Sequence, residues 1–321
     1  MKAKQATKSC LAVLCAMVMA PVMAGEYPDR PVKLIVPYAA GGLPDIVARI
    51  VAEQLQNDLK QAFVIENKPG GGGATAVAAI KQSPADGYNL MVTDGPLLTV
   101  SPIIIPTLSY DAKRDLEPVA MIGVAPLYLA ASADAPFADM QGMIDYARKN
   151  PGKLNYGSSG IGSIHHLTAE AMKHALQLDI GHVPYKGSSA SIPALIGNQI
   201  DISFASPPSL MAFSKAGKAK ILATNTLKRS DQEPNVPTIS EYAKDFDFGF
   251  SVVMMGKAGT PAKVQKKISD GIQNALKNPS VYQKLMMAGV EPNVNNFHDA
   301  GKYLEQENKR VSDAAQLAKL Q

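Results

Sequence analysis

The stretch Lys33-Leu34-Ile35-Val36-Pro37-Tyr38-Ala39-Ala40-Gly41-Gly42-Leu43-Pro44-Asp45 reads as a buried strand, a loop with paired glycines and the first turn of a helix. Val47, Val51, Leu55 and Leu59 follow at four-residue spacing and make one apolar helix face. The unit then repeats, with a strand at residues 63–66, a loop at 69–73 and a helix at 74–81. A third strand at 88–93 comes after the turn Pro84-Ala85-Asp86-Gly87. Short β-rich runs alternating with helix-period runs predict an α/β fold.

Two more strands are expected at 119–123 and 127–131, and a second set of units begins with a helix over Met140–Lys149. Asn150-Pro151-Gly152 stops that helix. A strand at 154–157, a loop from Ser158 to Ser163 and a helix over Ile164–Leu176 come next, with strands at 181–185, 200–205, 221–224 and 248–255. In the helical tail Thr260 is expected to cap and Pro261 to take the first turn, with Val264, Ile268 and Ile272 on one face. A short helix ends at Gly289 and a last one runs from about His298 to Leu320. At 321 residues the chain is long for one core, since single cores stop growing near about 250–300 residues. Two lobes joined by two crossing segments are expected: residues 25–124 plus 250–321 as lobe 1 and 125–249 as lobe 2.

Composition narrows the class. With 46% hydrophobic and 19% charged residues, the chain is neither disordered nor collagen-like. Lys2, Lys4 and Lys8 precede an apolar run over residues 10–19, and Val22-Met23-Ala24 suits cleavage after Ala24, the pattern of an export signal over residues 1–24. Its removal leaves 29 basic against 28 acidic residues, so no general basic surface for nucleic acid is expected. Both cysteines, Cys10 and Cys15, fall in that segment, and a cysteine-free exported chain fits the bacterial periplasm.

Enzyme signatures are mostly missing. Gly157-Ser158-Ser159-Gly160-Ile161 has isoleucine where a nucleophile elbow needs its second glycine, and no P-loop or dinucleotide fingerprint occurs. His165, His166 and His174 lack the H-E-x-x-H arrangement, so no metal is expected, and they read as cap and surface residues. What recurs is a strand, a glycine or serine loop and a helix start, which presents free backbone N–H groups and a partial positive charge to an anion. Loop 1 supplies Pro37, Tyr38, Ala39, Gly41, Gly42 and Asp45; loop 2 supplies Ser158, Ser159, Gly160, Gly162, Ser163 and His165. Loop 3 supplies Tyr185, Lys186 and Gly187, and the strand ends Thr93-Asp94 and Ser206 complete the candidate ligand-binding set. Asp45 reads either as a carboxylate facing a cationic ligand or as a residue stabilising the helix start. Lys186 reads either as a ligand counter-charge or as a solvated loop lysine. Residues 70–73 read as a turn.

The chain resembles the periplasmic solute-binding receptors of tripartite tricarboxylate transporters, the Bug or TctC-type proteins. The resemblance is carried by Tyr27-Pro28-Asp29-Arg30-Pro31, Gly41-Gly42-Leu43-Pro44-Asp45 with Ala48-Arg49, Glu66-Asn67-Lys68-Pro69-Gly70 and Asp86-Gly87-Tyr88. Asn150-Pro151-Gly152-Lys153-Leu154, His182-Val183-Pro184-Tyr185-Lys186-Gly187, Val236-Pro237-Thr238 and Gly259-Thr260-Pro261 extend it over nearly the whole chain. It implies a two-lobed type II periplasmic binding protein fold, a small carboxylate held in the cleft by loops 1 and 2, no cofactor, a monomer, and delivery to large and small membrane subunits of a permease. Tyr38 and Ala40 depart from the family's usual Phe and Pro, and the tyrosine hydroxyl offers one further donor; Ala205 stands where an acidic residue often follows, which argues against an amine-bearing ligand. The rival readings are a periplasmic sensor feeding a signalling system, and a serine hydrolase using Ser158, Ser159 or Ser163 with His165.

Overall fold

The apolar run after Pro31 forms β1 (Val32–Val36), with Lys33 exposed and the other four residues buried. A strand covered on both faces needs such a run. The computed structural model describes residues 26–231, 233–293 and 300–320; the expected export segment and His298 lie outside the described residues. β1 leads to α1 (Leu43–Leu59), β2 (Phe63–Asn67), a 3₁₀ turn at Gly71–Gly73, α2 (Ala74–Gln82) and β3 (Asn89–Asp94), each within two residues of its expected bounds. Val47, Val51 and Leu55 are fully buried, as the four-residue spacing requires.

Three short helices that the sequence pattern did not reveal come next: α3 (Gly95–Thr99), α4 (Ser101–Ile104) and α5 (Ala112–Asp115). Each has at most five residues, too few to show a helical period. β4 (Leu116–Ala125) precedes Pro126-Leu127, where the chain passes to β5 (Tyr128–Ser132). Then come α6 (Met140–Lys149), β6 (Asn155–Ser158), α7 (Ile164–Leu176), β7 (Gly181–Pro184), α8 (Ser188–Ile196), β8 (Ile202–Ala205), α9 (Pro207–Lys215) and β9 (Ala219–Thr224). The chain returns as β10 (Phe250–Lys257), followed by α10 (Ala262–Lys277), α11 (Pro279–Met287), β11 (Glu291–Pro292) and α12 (Ala300–Leu317). α8 and α9 were also not read from sequence; α8 contains Pro193, and α9 opens on two prolines that suit a first turn but resemble a loop. The expected cap at Thr260 is not made: Pro261 precedes the helix and the Thr260 hydroxyl donates to Lys257 O (2.7 Å).

The strands form two sheets. The first has the order β11-β4-β10-β3-β1-β2, and the second β7-β6-β8-β5-β9. β1 runs parallel to β2 and β3, and β6 parallel to β7 and β8. The returning β10 runs antiparallel between β3 and β4. Each sheet carries its own helices, which gives the two lobes. Because parallel strands place their following loops at one sheet edge, loops 1, 2 and 3 and the ends of β3 and β8 gather at the carboxyl edges of the two sheets, the usual ligand side of open α/β sheets.

The two passages between sheets are bonded to one another. Asn225, fully buried just after β9, gives its backbone N–H to Leu127 O (3.0 Å) and accepts from Leu127 N–H at Oδ1 (2.8 Å). On its other side Asn225 Nδ2 donates to Phe248 O and Phe248 N–H donates to Asn225 O, both at 2.7 Å. One asparagine therefore joins both passages. α12 holds the returning passage: Tyr303 Oη donates to Gly249 O (3.3 Å), Glu307 Oε2 accepts from Ser251 Oγ (2.6 Å) and Ser251 N–H (3.2 Å), and Arg310 Nη1 lies 3.9 Å from Asp247 Oδ2. The spacing of four and three residues puts these side chains on one helix face. Among the described residues no helix is long and apolar enough to cross a membrane.

Candidate functional site

Loop 1 is held by a carboxylate. Asp45, 2% exposed, accepts from Gly41 N–H (2.9 Å) and Arg49 Nε (3.0 Å) at Oδ2, and from Arg49 Nη2 (3.0 Å) and Asn67 Nδ2 (2.9 Å) at Oδ1. Burial alone would raise its pKa, but the Arg49, Gly41 and Asn67 hydrogen bonds hold it down to about 2. Of its two sequence readings, the helix-start role is the one its contacts express: both oxygens are engaged, by Gly41 of the loop, Arg49 of α1 and Asn67 of β2. Asn67 also donates to Tyr38 O (3.0 Å), so the end of β2 shapes both sides of the loop. Gly41 has φ +87°, a conformation glycine adopts without cost, and its neighbours Ala39 and Ala40 are exposed at the tip. Pro37 is buried and Gly42, the residue before α1, is half-buried.

The extra donor expected of Tyr38 is spent inside the lobe. Its Oη donates to Asp94 Oδ1 (2.7 Å), and burial raises its pKa. Asp94 also accepts from Leu97 N–H (3.0 Å) as the cap of α3, while Thr93 is fully buried. Substituting Asp45 by alanine should therefore collapse loop 1, with a stability loss of about 2–4 kcal/mol measured by denaturant unfolding at pH 7. Since the native pKa is lowered, this stabilisation is complete above about pH 4 and is lost as pH falls through about 2. The difference between wild type and Asp45→Ala should shrink over that window.

Loop 2 joins the end of β6 to α7. Its three serines differ. Ser158 is fully buried, accepts from Gly160 N–H (3.1 Å) and lies 2.7 Å from His182 Nε2. Ser163 donates to Gly160 O (2.7 Å) and caps α7 through His166 N–H (3.3 Å). Ser159 is half-buried and its Oγ lies 2.7 Å from His165 Nδ1. The amides at the start of α7 have no intrahelical acceptor, as at any helix start. Loop 3 lies alongside: Tyr185 N–H donates to Ser158 O (3.1 Å) and Gly187 N–H to Ser159 O (3.2 Å). Lys186 is exposed and forms no hydrogen bond or ion pair among the described residues. Ser206, before α9, pairs with Ser209 (2.8 Å).

Beneath loop 2 is a stack that sequence spacing did not reveal. His166 and His182 stack at 4.1 Å between centroids, and His182 stacks on Tyr156 at 4.7 Å. His166, expected at the surface, is 5% exposed and accepts from Gly162 N–H (3.1 Å) at Nδ1. Burial, then the neighbouring His166, lowers the His182 pKa to about 4, so a neutral ring supports the loop near pH 7. His166 and His182 lie on α7 and β7, too far apart in sequence for any local pattern to pair them. Across the cleft, Ile104 of α4 meets loop 2: a Cβ on Gly162 would lie 2.7 Å from Ile104 Cγ2. Loop 2 therefore borders the other lobe.

The family model described as "Tripartite tricarboxylate transporter family receptor" matches residues 47–319. This chain belongs to that receptor family. It is 33% identical over 299 residues to a UPF0065 protein of Bordetella pertussis, covering 93% of this chain and 92% of the relative. It is 30% identical over 282 residues to Protein BugT of the same organism, covering 87% and 86%. Among solved structures, Rpa4515 of R. palustris with adipate superposes at TM-score 0.76 and 30% identity, covering 91% of this chain and 98% of that one. MatC (Rpa3494) of Rhodopseudomonas palustris with bound malate superposes at TM-score 0.69 and 25% identity, covering 91% and 100%.

This member of the receptor family places a serine and a histidine in contact beside loop 2. That pair is also what the hydrolase reading needs. A serine protease-type site would require a third group orienting the far imidazole nitrogen, yet His165 Nε2 has no protein partner among the described residues. No cluster of metal-ligating side chains occurs among the described residues.

Proposed function

We propose that this protein is an extracytoplasmic receptor that captures a small carboxylate between loop 1 and loop 2 and presents it to the large and small membrane subunits of a tripartite permease, without catalysing a reaction on it. The observation that carries the reading is the pair of helix starts, α1 and α7, set on opposite lobes behind glycine loops. Their carboxylate and imidazole groups are tied up or neutral, which leaves the unbonded backbone N–H groups of the two first helical turns, with Lys186 at the rim, as the positive features of the cleft. Such a site favours an anion. Family membership supports the same reading, as do relatives solved with adipate and malate.

The energetics suffice without an arginine clamp. Micromolar affinity corresponds to about 8 kcal/mol. Roughly five charge-assisted hydrogen bonds at about 1.5–3 kcal/mol each supply more than that before association costs are subtracted. Lys186 would add a mobile counter-charge at the rim. In this reading residues 25–124 plus 250–321 and 125–249 move as two lobes about Asn225, an export signal over residues 1–24 directs the chain to the periplasm, and the receptor works as a monomer.

The test is a thermal-shift screen of the chain from Gly25 onward against mono-, di- and tricarboxylates, aromatic acids and acidic amino acids. A specific acid at about 100 times its Kd should add about 2.7 kcal/mol of stability and raise Tm by several degrees. A flat response to every acid, in a folded and monodisperse sample, would overturn the reading.

A further inference from the structure

The Ser159 and His165 side chains stand at the two ends of loop 2 and meet at 2.7 Å between Oγ and Nδ1. Both are half-buried: Ser159 lies in loop 2, which meets Ile104 of the other lobe at Gly162, and His165 lies in the first turn of α7 just beyond it. Ser158 and Ser163 have hydroxyls engaged with their own loop, so Ser159 carries the loop 2 hydroxyl with bonding capacity left for the cleft. His165 Nε2 has no protein partner among the described residues, and it is not among the polar atoms sealed from solvent. Burial draws the His165 pKa down to about 4, which leaves the ring with a single proton near pH 7.

A hydroxyl and a neutral imidazole in contact have two exchangeable protons between them, and the bond that joins them uses one. When Nδ1–H donates to Ser159, the serine O–H is free to donate outward and Nε2 is a bare acceptor. When Ser159 donates to Nδ1, Nε2–H is the outward donor and the serine oxygen is the acceptor. In both tautomers the pair offers one donor and one acceptor to whatever occupies the cleft. A bare carboxylate provides only acceptors and leaves the pair's acceptor facing lone pairs. An ammonium group would satisfy that acceptor, but it finds no free carboxylate among the candidate site residues, because Asp45 is engaged at both oxygens and Asp94 is taken by Tyr38 and Leu97. A hydroxyl beside a carboxylate satisfies both halves of the pair without a counter-charge.

We propose that Ser159 and His165 act as a donor–acceptor pair that selects, among small carboxylic acids, those bearing a hydroxyl group next to the carboxylate. The proposal rests on the carboxylate-receptor reading and narrows it. A site built to hydrogen-bond a ligand hydroxyl discriminates against the analogue lacking it, because the site's polar groups are then left unpaired.

Isothermal titration of the chain from Gly25 onward with matched acids decides it: succinate against malate, glutarate against 2-hydroxyglutarate, and propionate against lactate. The hydroxy acid of at least one pair should bind at least about tenfold more tightly at pH 7. That ratio should fall to within about twofold in Ser159→Ala and in His165→Phe. Ser159→Ala removes a single oxygen from a half-buried loop position and decides the matter alone if His165→Phe does not fold. Equal affinities within every pair overturn the pairing while leaving the receptor reading in place, as does a hydroxyl preference that survives both substitutions. Failure of all six acids overturns the pairing if the wider panel of the thermal-shift screen yields a ligand without a neighbouring hydroxyl, and a flat response to that panel as well overturns the receptor reading and the pairing together.

Discussion

Asn225→Ala should be strongly destabilising although it touches neither ligand loop. It strips the acceptor from Leu127 N–H and the donor from Phe248 O at a fully buried position, leaving both backbone groups without those partners. Each unsatisfied group costs about 1–3 kcal/mol, so the expected loss is about 2–5 kcal/mol, visible as a fall in Tm of roughly 5–15 °C in calorimetry. Asn225→Asp keeps the acceptor but removes the amide donor and buries a charge, so it should be no better. Because both passages between the lobes converge on this residue, the same substitution should weaken ligand capture more than the stability loss alone accounts for. Affinity measured well below the new Tm checks this. A Tm change under about 2 °C would show that the backbone bonds alone hold the two passages.

The second large effect is a pH-dependent stabilisation by Glu307→Gln. Glu307 is 2% exposed; its Oε2 accepts from Ser251, while Oε1 packs against Gly95 with no hydrogen-bond partner. Burial raises its pKa to about 7, the Ser251 bonds and Arg310 opposing, with Asp94 adding repulsion from the α3 side. A carboxyl whose native pKa lies above its unfolded value of 4.5 leaves stability intact below that value and loses it as pH rises through about 7. The full penalty above pH 7 is on the order of 3 kcal/mol. Glutamine has no proton to lose there. The variant should match wild type near pH 4.5 and exceed it in Tm by several degrees at pH 8. Asp247, whose pKa burial also raises, remains in both proteins, whereas Asp94 is relieved of the Glu307 charge in the variant, which adds to the difference in the same direction. A constant offset between the two proteins across pH would mean that Glu307 stays ionised in the native state.

Much of the recognition architecture is local. The strand, glycine loop and helix start at residues 33–45 follow from a continuous apolar run, a glycine pair and a four-residue apolar spacing, and the structure places them where that pattern does. Loop 2 is legible for the same reason. The short helices α3, α4 and α5 were not, since a helix of five residues shows no period, and α9 was hidden by the two prolines that open it. Tyr38 illustrates the limit at the site: its hydroxyl is visible in the sequence, but that Asp94, 56 residues on, claims its proton is not.

The α/β class, the order of the units, the expectation of two lobes and the loop chemistry that favours an anion are all legible in the residues alone. Each is written in residues a few positions apart, where periodicity and turn preference act. Which polar groups remain free for a ligand depends instead on contacts between distant parts of the chain. Asp45 is consumed by Arg49 and Asn67, His166 by stacking on His182 beneath the loop, and Asn225 by two passages nearly a hundred residues apart on one side. Hydrogen-bond donors and acceptors are spent on whatever neighbour folding brings within about 3 Å. Because those neighbours are set by the packing of sheets and helices, the free capacity of Ser159 and His165 became visible only once their surroundings were in place.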